Sequence, residues 1–257
     1  MAHPTGRAAR RRASVPLAAL LLALASPPVL PAEVTLYEVQ VPEKGAVDVP
    51  FVATDRAPAG ATLEAELRSE GASTRISLAF RKMKPAVLFG GDVTSYAVWT
   101  VTRDGSVENL GELFVREAKG EASFSTRRTA FALLVTAEPW IGAARPSGIV
   151  VFSGAAPKPA EAAARRFVLG GPGTAARTAV PSLAAVPWSG GAGAALAQAR
   201  AILARAETEK TGDPDQRTLR EARAALSEAE RPAARGDAAG AAARRASALA
   251  SEAIREA

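Results

Sequence analysis

Glu64 and Glu66 stand two residues apart in an alternating run, a spacing that puts both carboxylates on one face of a strand. Paired carboxylates are the working groups of glycoside hydrolysis. Here Leu63, Ala65 and Leu67 alternate with Glu64, Glu66 and Arg68, so a solvated sheet face accounts for both, with Arg75 across a hairpin as the expected ion partner. Lys210-Thr211-Gly212 has the letters of a β-lactamase triplet but no Ser-x-x-Lys on a strand–helix unit to go with it. Arg235-Gly236-Asp237 spells an adhesion tripeptide, and a helix-ending Gly followed by a helix-capping Asp explains it. Gly170-Gly171-Pro172-Gly173 lacks the Lys-Ser/Thr of a phosphate loop. One loop is more promising. Glu138-Pro139-Trp140 opens a segment running to Pro146, in which Glu138 reads as an acceptor for loop amides and Pro139 as a strand terminator. Trp140, flanked by Pro139 and Pro146, is the candidate partner contact, because a loop Trp supplies large rigid area to an interface.

What is missing shapes the rest. The chain has no cysteine, which removes disulfides, thiolate nucleophiles and a lipid-modified N-terminal Cys. Its single histidine, His3, lies in a segment expected to be cleaved off. The mature chain then lacks the commonest general base and the common zinc ligands. No EF-hand spacing offers an oxygen site in their place. We therefore expect no catalytic residue, no metal and no cofactor. A hydrolase using Ser/Lys or carboxylates stands as the enzymatic alternative.

The 257 residues carry a formal charge of +6. Four of those charges, Arg7, Arg10, Arg11 and Arg12, precede the first hydrophobic run, and without them the balance falls to +2. No comparable basic run occurs downstream, so a nucleic-acid partner is not expected. Residues 15–25 (VPLAALLLALA) follow as an apolar core, then Ser26-Pro27-Pro28. A basic start, a short apolar run and a small-residue exit make a secretory signal over residues 1–32, with cleavage after Ala25 or Ala32. As a helix, the apolar run would reach about 16 Å, short of the roughly 30 Å hydrocarbon layer. A mature chain without a membrane span, periplasmic or secreted, is expected.

Residues 33–154 carry the strand patterning. Runs at 34–41, 47–53, 61–68, 74–80, 95–101, 107–115, 121–126, 130–137 and 148–153 are apolar, alternating or β-branched. Turn signals separate them, among them Pro42 to Gly45 and Asp104-Gly105, where the turn needs positive φ. Eleven of the thirteen aromatics lie from Tyr37 to Phe152, which places the main core here. The run at 95–101 is apolar on both faces and should be central. The expected fold is mainly β, an immunoglobulin-like antiparallel β-sandwich wrapped around Trp99. Residues 155–193, rich in Pro, Ala and Gly, read as a flexible linker with one short strand at 166–169. Residues 194–257 turn helical, with Leu196, Ala199, Leu203 and Ala206, then Leu219, Ala222, Leu226 and Ala229, then Ala242, Ala246, Leu249 and Ala253 at three- and four-residue steps. Gly212, Asp213, Pro214, Gln216, Pro232, Gly236 and Asp237 punctuate them, and Arg205/Glu209 and Arg217/Glu221 sit at i,i+4. An Ala-rich helical hairpin or three-helix tail with a shallow core follows, one that gains from docking on something else.

With these residues in view, 95–154 resembles the extracytoplasmic C-terminal domain of anti-sigma-K factors. The likeness rests on Tyr96 and Trp99 on one strand, Gly111 on the next, Phe131 and Val135-Thr136-Ala137-Glu138-Pro139, and Pro146-Ser147-Gly148. Similar domains precede peptidoglycan-binding OmpA-like domains in some bacterial envelope proteins. The tail is similar to an uncharacterised Ala-rich helical domain of envelope proteins. The resemblance implies a sandwich fold with Tyr96, Trp99, Gly111, Phe131, Thr136 and Glu138 as its structural motif. It does not carry over the regulatory activity, which needs a sigma-binding part and a membrane span. The resulting expectation is a non-enzymatic envelope module, the sandwich meeting an envelope protein or cell-wall glycan and the tail self-associating or docking. The alternative is a sensory or regulatory extracytoplasmic subunit.

Overall fold

The computed structural model describes residues 32–90, 93–157, 162–169, 193–209, 216–231 and 237–256. Residues 1–31 of the expected signal at 1–32 lie outside them, as do Lys210-Thr211-Gly212, Asp213, Pro214, Pro232, Gly236 and the Gly170–Gly173 run. The described chain is mostly β. Its strands are β1 (Ala32–Gln40), β2 (Ala46–Ala53), β3 (Thr62–Glu70), β4 (Ser73–Arg81), β5 (Ser95–Val101), β6 (Val107–Glu112), β7 (Gly120–Thr126), β8 (Ala130–Glu138), β9 (Val150–Gly154) and β10 (Ala162–Leu169). Three helices follow, α1 (Gly193–Glu209), α2 (Gln216–Glu230) and α3 (Asp237–Glu256).

Every strand pairing is antiparallel, and the main path runs β6-β5-β8-β9-β2-β3-β4-β7. The path bends because β2 changes partners. Its first half, Ala46 to Pro50, pairs with β3, and Phe51 to Ala53 pair with β9. Pro50, which has no N–H to give a ladder, sits at the switch, and its carbonyl accepts the Ala155 amide at 2.8 Å. The two ends of the path, β6 and β7, come side by side without a ladder between them, so the sheet is nearly closed. Glu108 of β6 spans that seam, accepting from Thr126 of β7 at 2.7 Å and pairing with Arg128 at 3.2 Å. The remaining pair, β1 and β10, joins the path where Val39 and Gln40 meet Phe131 and Ala130.

Alternation explains the core. Along β3, Leu63, Ala65 and Leu67 are buried while Glu64, Glu66 and Arg68 are exposed, and β4 buries Ile76, Leu78 and Phe80 in the same way. These meet Val47, Val49, Tyr96, Val98, Phe131, Val135 and Phe152 in the main interior. All seven residues of β5 are buried, as a central strand requires. Trp99, however, is not at the centre of that interior. Tyr96 and Trp99 are three apart, so on a strand they point to opposite faces. Trp99 packs instead with Leu36, Val101, Leu134, Ala143 and Val150 in a second, smaller cluster.

Other expectations are corrected in detail. The strand expected over 107–115 ends at Glu112 and carries a bulge where β5 pairs Val98 with Gly111 and Trp99 with Asn109. Gly111 adopts φ +124°, and the Asn109 side chain accepts its amide at 2.9 Å. Arg75 does not partner Glu64 or Glu66. It lies opposite Arg68 and donates to Glu70 at 2.6 Å, while Glu66 takes Arg68 at 3.1 Å. Within the stretch read as linker, β10 is twice the expected length and runs alongside β1 from Ala32↔Leu169 to Val39↔Ala162. The helical stripes do bury: Ala199, Leu203, Ala206, Leu219, Ala222, Leu226, Ala229, Ala246 and Ala253 form one cluster. Exposed ion pairs Arg200–Glu230 and Arg223–Glu207 tie α1 to α2.

The bulge makes a test. An L-residue at φ +124° is strained by about 1–3 kcal/mol. Gly111→Ala should therefore lower the unfolding free energy by that much, read as a lower urea midpoint at unchanged slope, and an unchanged midpoint would show that the strand end relaxes freely.

Candidate functional site at the sheet–helix junction

Two carboxylates are turned away from bulk water, Glu138 fully buried and Glu112 half-buried, and the strands explain both. Glu138 ends β8, and Ser147 begins the return toward β9, so the loop between them folds back over the strand end. Glu138 is fully buried. One oxygen accepts the Ser147 amide at 2.7 Å and the Thr136 hydroxyl, while Thr136 accepts Trp99 Nε1 at 2.8 Å. Ser147 in turn donates its hydroxyl to the Ala137 carbonyl at 2.9 Å. The other carboxylate oxygen, Oε2, is buried without a hydrogen-bond partner. Burial raises the Glu138 pKa to about 7, against the opposing pull of the Ser147 and Thr136 donors.

Glu112, at the end of β6, is the second. It lies where the helices meet the sheet. Gln198 of α1 donates its amide to Glu112 and, at 3.3 Å, to Ser95 of β5. Burial again dominates and raises the Glu112 pKa to about 7, with the Gln198 and Ser95 hydrogen bonds opposing. Around this pair, Phe114 packs against the helical cluster, with the Arg244 guanidinium of α3 5.7 Å above its ring centre. Arg116 pairs with Asp237 at the start of α3. The helices thus have a seat, and it is the chain's own sheet.

The seat encloses a cavity of about 100 Å³. Its lining combines Glu112, Gln198 and Thr94 with the apolar Ala86, Leu113 and Ala195, and includes the charged Arg116, Glu117, Asp237 and Arg244. A second groove shares Glu112, Phe114, Gln198 and Arg244 and continues along Leu110, Phe124 and Ser251. A mostly apolar hollow with a few convergent polar groups is the usual form of a small-ligand site. Among the described residues no group of three or more His, Cys, Asp or Glu comes together for a metal ion, and no helix is long and apolar enough to cross a membrane.

The residues singled out from sequence are distributed unevenly. Tyr96, Trp99, Phe131, Thr136 and Glu138 are buried in β5 and β8, and Gly111 lies beside them in β6. Tyr96 donates its hydroxyl to the Lys84 carbonyl at 2.8 Å, and burial holds its pKa well above the usual phenol value. Of the proposed contact residues, Pro139 and Pro146 are buried, and the Pro139 carbonyl accepts from Thr94 at 2.9 Å. Trp140 is half-buried, folded back over Gly142, where a Cβ would come within 2.1 Å of its ring. Glu64 and Glu66 share an exposed, shallow sheet face with Asp48 and Glu121.

Sequence reasoning did not single out Glu112, Gln198, Phe114 or Arg244. One signal was present: Gln198 interrupts the apolar stripe formed by Ala195, Ala199 and Ile202, and an amide on a buried stripe calls for a partner. Comparison of the chain with protein-family models, curated proteins and solved structures finds no match.

The raised Glu138 pKa has a defined sign. A carboxyl that binds its proton more tightly folded than unfolded stabilises the fold fully below pH 4.5 and loses that contribution as pH rises through about 7. At about 1.4 kcal/mol per pKa unit, the loss is on the order of 3 kcal/mol. Urea midpoints should therefore fall from pH 5 to pH 8, and Glu138→Gln should flatten the decline to the share left by Glu112. A wild-type midpoint that rises over this range would show a different ionisation in control.

Proposed function

We propose that the chain is an exported, non-catalytic recognition module of the bacterial envelope, acting in the periplasm or after release. The single observation that carries a binding role is the junction. Three helices with a largely alanine core seat on the end of β6 through Gln198, Phe114 and Asp237, and the seat leaves a partly enclosed cavity with polar groups converging on it. Export rests on Arg7 to Arg12 and the apolar run at 15–25. The partner is an envelope protein or a cell-wall glycan, and the half-buried Trp140 offers it a second contact.

In the same reading the nearly closed sheet is an immunoglobulin-like sandwich, whose two layers share β2. The partner switch at Pro50 and Phe51 supports this, since strands that change sheets make the corners of such folds. A second reading, a sensory or regulatory subunit related to anti-sigma-K factors, is favoured by one observation. Trp99, Thr136, Glu138 and Ser147, which carry much of the resemblance, are joined in one hydrogen-bonded chain. Co-purification with a membrane-spanning regulator would select it.

The test is made in cells. Expressed in a bacterial host, the full chain should be recovered outside the cytoplasm, shortened by 25 or 32 residues, and Leu21→Arg should hold it inside at 26.4 kDa. Photo-crosslinkers at Trp140 and Arg116 should give discrete adducts with an envelope component. An unprocessed cytosolic wild-type chain would overturn the reading.

A further inference from the structure

Glu112 is a half-buried carboxylate on the wall of a cavity, and its hydrogen-bond donors are neutral. Gln198 and Ser95 supply them. The nearby cations are committed elsewhere. Arg116 is paired with Asp237, and Arg244 lies over the Phe114 ring. Sharing the cavity lining with Glu112 are Tyr96 of β5, Arg116 and Glu117 beyond β6, Gln198 of α1, and Asp237 and Arg244 of α3. A half-buried carboxylate answered only by neutral donors gains from a cation that enters the hollow beside it.

The cavity's dimensions narrow the choice. At about 100 Å³ it is smaller than the roughly 150 Å³ cavity known to take benzene, so about four to six heavy atoms fill it. Ala86, Leu113 and Ala195 line it with methyl and methylene groups, which suit an aliphatic stem. Thr94 and Gln198 add polar side chains to the same lining. A compact ammonium with three N–H donors matches separate polar groups of this kind, whereas a planar guanidinium needs a two-pronged acceptor.

We propose that the junction cavity binds a primary ammonium on a short aliphatic stem, the ammonium paired with Glu112 and the stem lying against Ala86, Leu113 and Ala195. Such a group comes either as a free alkylamine or as the side chain of a lysine presented by a peptide. The proposal rests on the recognition role given above and specifies what is recognised.

The test uses the exported, processed chain and amide chemical shifts. n-Butylammonium should produce saturable shifts at Leu113, Ala195 and Gln198, with neutral n-butanol at least tenfold weaker. Binding should strengthen from pH 6 to pH 8, as Glu112 gives up its proton. Glu112→Gln should weaken ammonium binding at least tenfold, and Ala195→Leu, which fills the hollow, should abolish it for both probes. Nα-acetyl-lysine N-methylamide forms the second arm. Tighter binding of it than of butylammonium assigns the site to a lysine side chain, and the reverse assigns it to a free amine. Equal binding of butylammonium and butanol, no shift at those amides, or full affinity in Glu112→Gln overturns the proposal. Loss of this site with crosslinked envelope adducts retained would sink the cavity's role alone, whereas an unprocessed cytosolic chain would sink the recognition reading itself.

Discussion

The hydrogen-bonded run from the Trp99 indole through the Thr136 hydroxyl to the Glu138 carboxylate and the Ser147 amide ties together three parts of the chain far apart in sequence. It fastens β5 to β8 across the least hydrated part of the sheet and pins the loop from residue 139 to 147 onto the end of β8. A buried carboxylate with one oxygen unpartnered is a costly fastener. It is also selective for register, because sliding β8 along β5 would carry Thr136 away from the Trp99 indole. With β8 held in that register, β5 lies along one side of it, and β1 and β9 share the other.

From that fixed strand the rest of the architecture follows. β9 leads to β2, β2 changes partners at Pro50, and the path returns until β7 stands beside β6. The β6 edge that remains is blunted by its bulge, by Asn109 bonding both the Gly111 amide and the carbonyls of Ile141 and Ala143, and by Glu108 reaching to β7. Beyond the bulge, Glu112 and Phe114 are turned toward the helices. An alanine-rich bundle buries little large apolar surface by itself, and here Phe114 adds an aromatic ring from outside the bundle. Sheet and helices therefore complete one another at the place where the second raised carboxyl sits.

How much of this was legible depended on where the deciding force lay. Strands β3, β4, β5 and β8 were readable because burial writes itself as alternation or as continuous apolar runs, and the Asp104-Gly105 turn because only certain residues accept positive φ, +82° at Gly105. β10 was half missed. Its AAARRFVL has no period and little strand propensity, and its pairing with β1 decides its conformation. The bulge at Gly111 was hidden because a glycine in a strand pattern has several possible causes. The facing of Tyr96 and Trp99 followed from simple parity. The junction site was the least legible, since Glu112, Gln198, Phe114 and Arg244 belong to three elements, and only the amide on an alanine stripe hinted at it.

The pairing of β1 with β10 sets a timetable for the chain. Residue 32 finds its neighbour only at residue 169, while the strands between them mostly pair with near neighbours in sequence. Any process that delivers the polypeptide from its N-terminus, at a ribosome or through a pore, releases β1 first and its main companion more than a hundred residues later. Until then β1 waits with bare amides and carbonyls along an unclaimed side, the condition in which a holdase or a misplaced strand can take hold. The first strand to emerge is in this way among the last to be secured.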